Sequence, residues 1–269
     1  PERALTEAGK YFLEKQHRSA GIPKEDILKI AIKSMGLEDL RPFNPKEKVI
    51  EYLLEGDNSK KLVNLTVKGF ADETSRESPA PGGGSVSAYM GALGASLATM
   101  VANLSSHKPG WDDRWDEFAC WAEKGMELQE ELLHLVDEDT EAFNRIMAAF
   151  GMPKNTDEEK TLRSAAIQDA TLFATEVPLE TMKTSVKVFD VCRQMVREGN
   201  PNSVSDAGVG ALAARAAVIG AGMNVKINAS SLKDRKKAEA LIAEADAIIE
   251  KANAAEKEIT QEVDKKIKG

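Results

Sequence analysis

Apolar residues recur at three- and four-residue spacing along almost the whole chain, and no alternating pattern of the strand type extends beyond a few residues. A chain patterned this way builds its core by packing helix against helix. The expected fold is therefore all-α: an antiparallel up-and-down helical bundle with long helices and an N-terminal helical appendage. Ile27, Ile30 and Ala31 mark a short helix that Gly36 ends. Asn44, Pro45 and Glu47 then carry the start signals of another, expected to run to about Leu54. The polar stretch GDNSKK reads as a linker, which makes residues 1–60 the appendage and 61–269 the main body.

The main body is expected to open with a helix over Leu62–Thr74, which breaks at SPAPGGGS, residues 78–85. Beyond the break Val86, Tyr89, Met90, Leu93, Leu97, Met100, Val101 and Leu104 step by threes and fours, while Gly91, Gly94, Ala98 and Ala102 make a second face of small residues. Two such faces suit the central helix of a bundle or one at a subunit interface. Ser85–Ser106 also carries no formal charge over a length that spans a bilayer, but it is rich in small and polar residues and lacks a basic flank. It is read as a buried helix, with no membrane partner. A long helix is expected over Asp112–Phe150, with Trp115, Phe118, Ala122, Met126, Leu132, Val136, Phe143, Ile146 and Phe150 on its core stripe. Thr156 and Glu159 form a capping box for the next, which Pro178 is expected to kink or restart. A small-residue helix over Ser205–Met223 and a charged amphipathic one complete the bundle.

Thirty-six Lys and Arg against 44 Asp and Glu leave a net charge of −8, with no basic run interleaved with aromatics, so nucleic acid is not an expected partner. The two cysteines and three histidines have no metal-ligand spacing, and neither a metal site nor a disulfide framework is expected. The first residues, PERALTEAGK, hold no apolar signal-peptide core, and the expected compartment is a reducing cytoplasm.

Asp139 is the most informative single residue. The stripe Leu132, Val136, Asp139, Phe143, Ile146 puts its carboxylate at a core-facing position, where desolvation raises the pKa toward the range a general acid/base needs. The competing reading is a carboxylate satisfied by an Arg or a helix cap, or one at the stripe's edge. Asp137 falls off the stripe and suits a supporting role. The loop containing Gly82, Gly83, Gly84 and Ser85 precedes a helix, so its amides can face an anion or a carbonyl group; the plainer alternative is a tight turn in which Ser85 caps that helix. Asn202, Ser203, Ser205 and Asp206 sit at another helix start, either as caps, with Ser203 and Asp206 at capping-box spacing, or as a polar pocket wall. Lys154 and Arg163 are surface charges or carboxylate binders near the end of the long helix. His107 is placed in a loop and left open as a ligand contact, His134 on the surface, and Trp111, Trp115 and Trp121 in a core or interface.

Taken in order, SPAPGGGSVSAYMGALGASLATMVANL, LVDEDTEAF, MPKNTDEEK and GNPNSVSDAGVGALAARA resemble the cyclodeaminase domain of the formiminotransferase-cyclodeaminase family, which includes stand-alone methenyltetrahydrofolate cyclohydrolases. The segment YFLEKQ through LRPFNPKEKVIEYLL resembles the C-terminal tail of a formiminotransferase domain. The resemblance implies an all-α bundle that forms a homodimer or larger homo-oligomer, with a formiminotransferase domain as a possible part of a longer chain. It also implies a tetrahydrofolate derivative, with or without a polyglutamate tail, as substrate and no separate cofactor. The implied reaction closes 5-formiminotetrahydrofolate to 5,10-methenyltetrahydrofolate with release of ammonia, in histidine degradation and one-carbon metabolism. The family's catalytic aspartate, in its VDxDxxAF pattern, falls on Asp139. Gly82–Ser85 and Asn202–Asp206 are then expected to line the folate pocket, and Lys154 and Arg163 to meet the glutamate tail. The alternatives are a methenyltetrahydrofolate cyclohydrolase using the same pocket, and a folate-binding or assembly module without turnover.

Overall fold

The computed structural model describes residues 1–54, 61–78 and 80–268, and every regular element among them is a helix. Helix α1 (Glu2–Lys15), which the apolar spacing did not single out, packs Leu5 and Leu13 inward and lies against α2 (Lys24–Ser34). The single helix expected from Pro45 is two, α3 (Pro45–Lys48) and α4 (Ile50–Leu54), because Val49 between them is extended at φ −94°, ψ 119°. Asn44 does cap α3, accepting from the Lys46 amide. Except for Lys61, the expected linker lies outside the described residues. The expected Leu62–Thr74 helix is also divided, into a 3-10 turn at Leu62–Asn64 and α5 (Val67–Thr74), whose first turn is capped by the Thr66 hydroxyl.

Five long helices make the body: α6 (Gly83–Ser106), α7 (Trp115–Phe150), α8 (Asp157–Glu198), α9 (Val204–Ser230) and α10 (Arg235–Lys268). Each runs antiparallel to the next. Ser106 Oγ donates to the Trp115 carbonyl at one end of the α6–α7 pair, and Ser85 meets Asp139 at the other. Phe118, Leu132, Met182, Phe189, Met195 and Ile259 are fully buried at the centre. The small-residue face of α6 is used as its spacing predicts. A Cβ on Gly94 would stand 2.8 Å from the Gly210 carbonyl oxygen of α9, so the two backbones touch where glycine faces glycine.

The capping box of α8 forms with both arms in place. Of the kink or restart expected at Pro178, the restart does not occur: α8 is continuous over 42 residues. Proline removes the amide that would bond Ala174 O four residues back. That carbonyl instead accepts Asn228 Nδ2 from α9 at 2.6 Å. The N-terminal segment is fastened to the far end of the bundle by His17 stacked on Trp115, ring centroids 5.3 Å apart, and by Asn103 Nδ2 donating to Gly21 O at 2.6 Å.

Helix α6 and the Pro201–Ser230 stretch are each long and apolar enough to cross a membrane by length and composition, and 61% and 50% of their apolar windows are buried in the bundle. Their outward residues include Leu93, Met100 and Leu104 on α6 and Val209, Leu212, Met223 and Ile227 on α9. Both helices thus carry exposed apolar side chains on their outward sides.

Candidate active site

Helix α6 begins where α7 offers a carboxylate. Asp139 Oδ2 accepts from the Ser85 amide at 2.8 Å and from Ser85 Oγ at 2.9 Å. Ser85 is the third residue of α6, and its amide is one of the donors that a helix start leaves without an intrahelical partner. Asp139 therefore caps α6 from a neighbouring helix. Ser85 does not cap its own helix: the N-cap position is Gly82, which has no side chain to offer, and Gly83 to Ser85 are the first turn rather than a loop. Glycine at position 84 is a steric requirement, because a Cβ there would overlap Asp139 Oδ1.

The surroundings of Asp139 push its pKa in opposite directions. Burial is the largest influence and raises it, the two Ser85 bonds lower it, and the net displacement is upward from the ordinary aspartate value. No Lys or Arg forms an ion pair with it among the described residues. With Oδ2 engaged by two donors, Oδ1 is the oxygen left to exchange a proton. The two readings open in the sequence thus coexist, since the carboxylate is a helix cap whose proton affinity is still raised.

Asp137 points elsewhere. Its Oδ1 accepts from the Leu62 amide at 2.7 Å and fixes the 3-10 turn that leads into α5. Burial raises its pKa, against the Leu62 bond and the Lys61 charge. Asn224 was not a candidate in the sequence, yet it flanks the same turn of α6 from the α9 side. Its Nδ2 donates to Gly220 O at 3.0 Å and would lie 3.3 Å from a Cβ on Gly83. The available signal was an amide interrupting the small and apolar run of α9.

Arg163 sits at the start of α8 and donates from Nε and Nη2 to the Phe150 carbonyl at 3.3 and 3.0 Å, serving the C-terminus of α7. Lys154 is exposed in the loop between them. Asn202, Ser203, Ser205 and Asp206 lie at the other end of the bundle, because the Asn200 amide donates to Ser105 Oγ at 2.8 Å. Along α6, Ser105 is roughly 30 Å from Ser85. One chain does not bring Asn202–Asp206 to Asp139. Ser203 makes no side-chain cap, so the expected box with Asp206 is absent; Asn200 instead caps the preceding 3-10 turn. His107 ends α6 and accepts from the Ser19 amide at 3.4 Å, while His134 is exposed beside Glu138. Trp111 stacks on Phe118, and Trp121 packs against the core. No group of three or more His, Cys, Asp or Glu side chains is placed to hold a metal among the described residues.

The site can therefore present a desolvated carboxylate, with one oxygen anchored and one available, at the open start of a helix. Comparison with known proteins gives this geometry a context. The family pattern described as formiminotransferase-cyclodeaminase matches residues 66–265, and that of the formiminotransferase domain matches residues 1–55. A methenyltetrahydrofolate cyclohydrolase of Methylorubrum extorquens is 38% identical over 204 residues, covering 76% of this chain and 98% of that protein. The formimidoyltransferase-cyclodeaminase of Mus musculus is 33% identical over 235 residues, 87% of this chain but only 43% of its own length. This chain thus spans less than half of that bifunctional relative. The crystal structure of formiminotetrahydrofolate cyclodeaminase from Thermotoga maritima superposes with a TM-score of 0.63 at 28% identity, covering 77% of this chain and 97% of that one. With a pattern match over residues 66–265 and a relative 38% identical across nearly its whole length, the chain belongs to the formiminotransferase-cyclodeaminase family.

Proposed function

We propose that this chain is a formimidoyltetrahydrofolate cyclodeaminase, and the observation that carries the reading is the desolvated Asp139 carboxylate anchored by Ser85 at the start of α6. In the reaction N10 of the folate attacks the formimino carbon on N5. Asp139 takes the N10 proton and delivers it to the nitrogen of the formimino group, which enters already protonated as the amidinium and so leaves as ammonia while the cationic methenyl bridge forms. One carboxyl serves both transfers because its raised pKa lets it both accept and release a proton. The Ser85 bonds fix Oδ2, so the proton travels on Oδ1. The second reading, a cyclohydrolase in which water attacks the methenyl carbon, is favoured by the 38% identical relative and uses the same group. Purified chain is to be assayed with 5-formiminotetrahydrofolate, following methenyltetrahydrofolate and ammonia together, beside a run starting from methenyltetrahydrofolate. Equal rise of both products is the expected result. Consumption of methenyltetrahydrofolate alone selects the cyclohydrolase, and inactivity in both runs overturns the enzymatic reading.

The protein is further read as a homodimer joined through the outward apolar face of α6 and α9. That face has Leu93, Met100 and Leu104 beside Val209, Leu212, Met223 and Ile227, and its exposure is what a subunit contact relieves. A twofold axis lying across these helices carries Asn202–Asp206 of the second copy to the Asp139 end of the first, which reconciles their 30 Å separation (roughly) with a shared pocket. Leu212→Glu is expected to yield monomers in analytical ultracentrifugation and to lose turnover with the dimer. An active monomeric variant rules out the shared pocket.

A further inference from the structure

Two side chains flank the first turn of α6 from different helices. Asp139 of α7 would meet a Cβ on Gly84, and Asn224 of α9 would meet one on Gly83, with Nδ2 at 3.3 Å and Oδ1 at 3.8 Å. Gly83 itself is exposed, so the turn between the acid and the amide lies open. One turn further along α9, Asn228 donates to the Ala174 carbonyl of α8 and so joins two helices. Asn224 joins none. Its Nδ2 bonds Gly220 O at 3.0 Å, four residues back on its own helix. That bond fixes which way round the amide stands, because a carbonyl oxygen accepts only from the nitrogen side. The second N–H of Nδ2 and the oxygen Oδ1 remain, a donor beside an acceptor, with no partner among the described residues. Asn224 is half-buried, and its Oδ1 is not among the enclosed unpartnered atoms, so it is open to a ligand.

We infer that Asn224 reads the lactam edge of the pterin, donating to the C4 oxygen and accepting from N3–H, and thereby selects 4-oxo over 4-amino pterins. This rests on the folate reading above and names the residue that recognises the ring system bearing the reacting nitrogens. A lactam presents an acceptor beside a donor, the complement of what Asn224 has free. Of the pterin's edges this one adjoins N5, the nitrogen that carries the formimino group. The reach agrees as well. Neighbouring Cβ positions on a helix are about 5.5 Å apart, which with the contacts at Gly83 and Gly84 puts Oδ1 of Asn224 within about 11 Å of Oδ1 of Asp139. N10 and the lactam edge are about 5–6 Å apart, and a hydrogen bond of about 3 Å at each end spans up to about 11–12 Å. One ring system can therefore offer N10 to Asp139 and its lactam to Asn224. An amino group at C4 turns the acceptor into a donor and N3 into an acceptor. Both bonds then become mismatches that an amide held by Gly220 does not turn to relieve.

The test titrates parent and Asn224→Leu with two ligands, 5-formyltetrahydrofolate, in which oxygen replaces the formimino nitrogen, and its 4-amino counterpart. The parent is expected to bind the 4-oxo ligand at least about tenfold tighter than the 4-amino one. Asn224→Leu is expected to weaken the 4-oxo ligand about tenfold and to leave the 4-amino ligand within about twofold, so the preference collapses. In turnover of 5-formiminotetrahydrofolate the variant should raise KM about tenfold with kcat within about twofold. The midpoint of its kcat–pH profile should stay in place, because Ser85 still holds Asp139. A residue that only packed α9 against α6 would behave differently: its loss would shift the start of α6, weaken both ligands alike and move the midpoint. That result overturns the inference, as does an unchanged affinity in the variant or a parent without preference. Activity of the parent separates the two levels. A parent that binds the 4-oxo ligand and turns over substrate, with any of those results, defeats the role of Asn224 alone. A parent that binds neither ligand and shows no turnover defeats the folate reading and this role with it.

Discussion

Asp139→Asn is expected to lose about a hundred- to ten-thousandfold in turnover while keeping its fold, the range associated with removing a general acid/base. The fold survives because the asparagine oxygen still accepts both Ser85 donors. Burial raises the carboxyl pKa in the folded chain above its unfolded value. The stability that this proton affinity contributes is present in full below the unfolded pKa and is lost as pH rises through the folded one. An asparagine has no such loss, so above that window the variant should melt at or above the parent temperature, and the difference should shrink as pH falls. Melting curves across pH beside turnover decide the matter. Retained turnover removes Asp139 from the chemistry, and a much lower melting temperature at neutral pH makes its capping role the dominant one.

Gly84→Ala is expected to be nearly as damaging from the opposite side. Alanine in a helix ordinarily gains about 1 kcal/mol over glycine. Here the new Cβ overlaps Asp139 Oδ1, the oxygen assigned to the proton. Either the carboxylate leaves Ser85 or α6 shifts, and overpacking of this kind costs about 1–3 kcal/mol. The displaced acid should cost at least about a hundredfold in kcat, since small misplacements of reacting groups have effects of that size. Gly83→Ala should lose less, because its Cβ meets only the Asn224 amide, at 3.3 Å. A crystal structure of Gly84→Ala that keeps both Ser85–Asp139 bonds, with normal turnover, contradicts this account.

The stripe through Leu132, Val136 and Asp139 was readable because periodicity reports which face of a helix turns inward, and α7 follows it as far as Asp139. Past that point the same periodicity placed Phe143 and Phe150 in the core, whereas Phe150 is 51% exposed. A helix's own sequence says nothing of where its neighbour ends. The glycine run looked like a loop because glycine favours turns; the partner that makes Gly83–Ser85 a helical turn, Asp139, is 54 positions away from Ser85. The split at Val49 and the shortened α5 show the same limit at small scale, since capping residues mark a helix start without guaranteeing its length. Asn202–Asp206 and Asp139 were grouped by resemblance, and only the antiparallel course of α6 and α9 places them at opposite ends of one chain.

The bond from Asn228 to Ala174 O bears on how the chain reaches its native state. Until α9 has docked, the carbonyl left unpaired by Pro178 has no protein partner, so α8 exists as two shorter helices free to bend at their junction. Its propagation into one rod is therefore a late, long-range event that waits for residues synthesised fifty positions downstream, roughly the separation of those two partners. Local opening at the middle of α8 and undocking of α9 then become a single cooperative step, and amides near Pro178 should exchange with solvent no faster than those of α9 facing them.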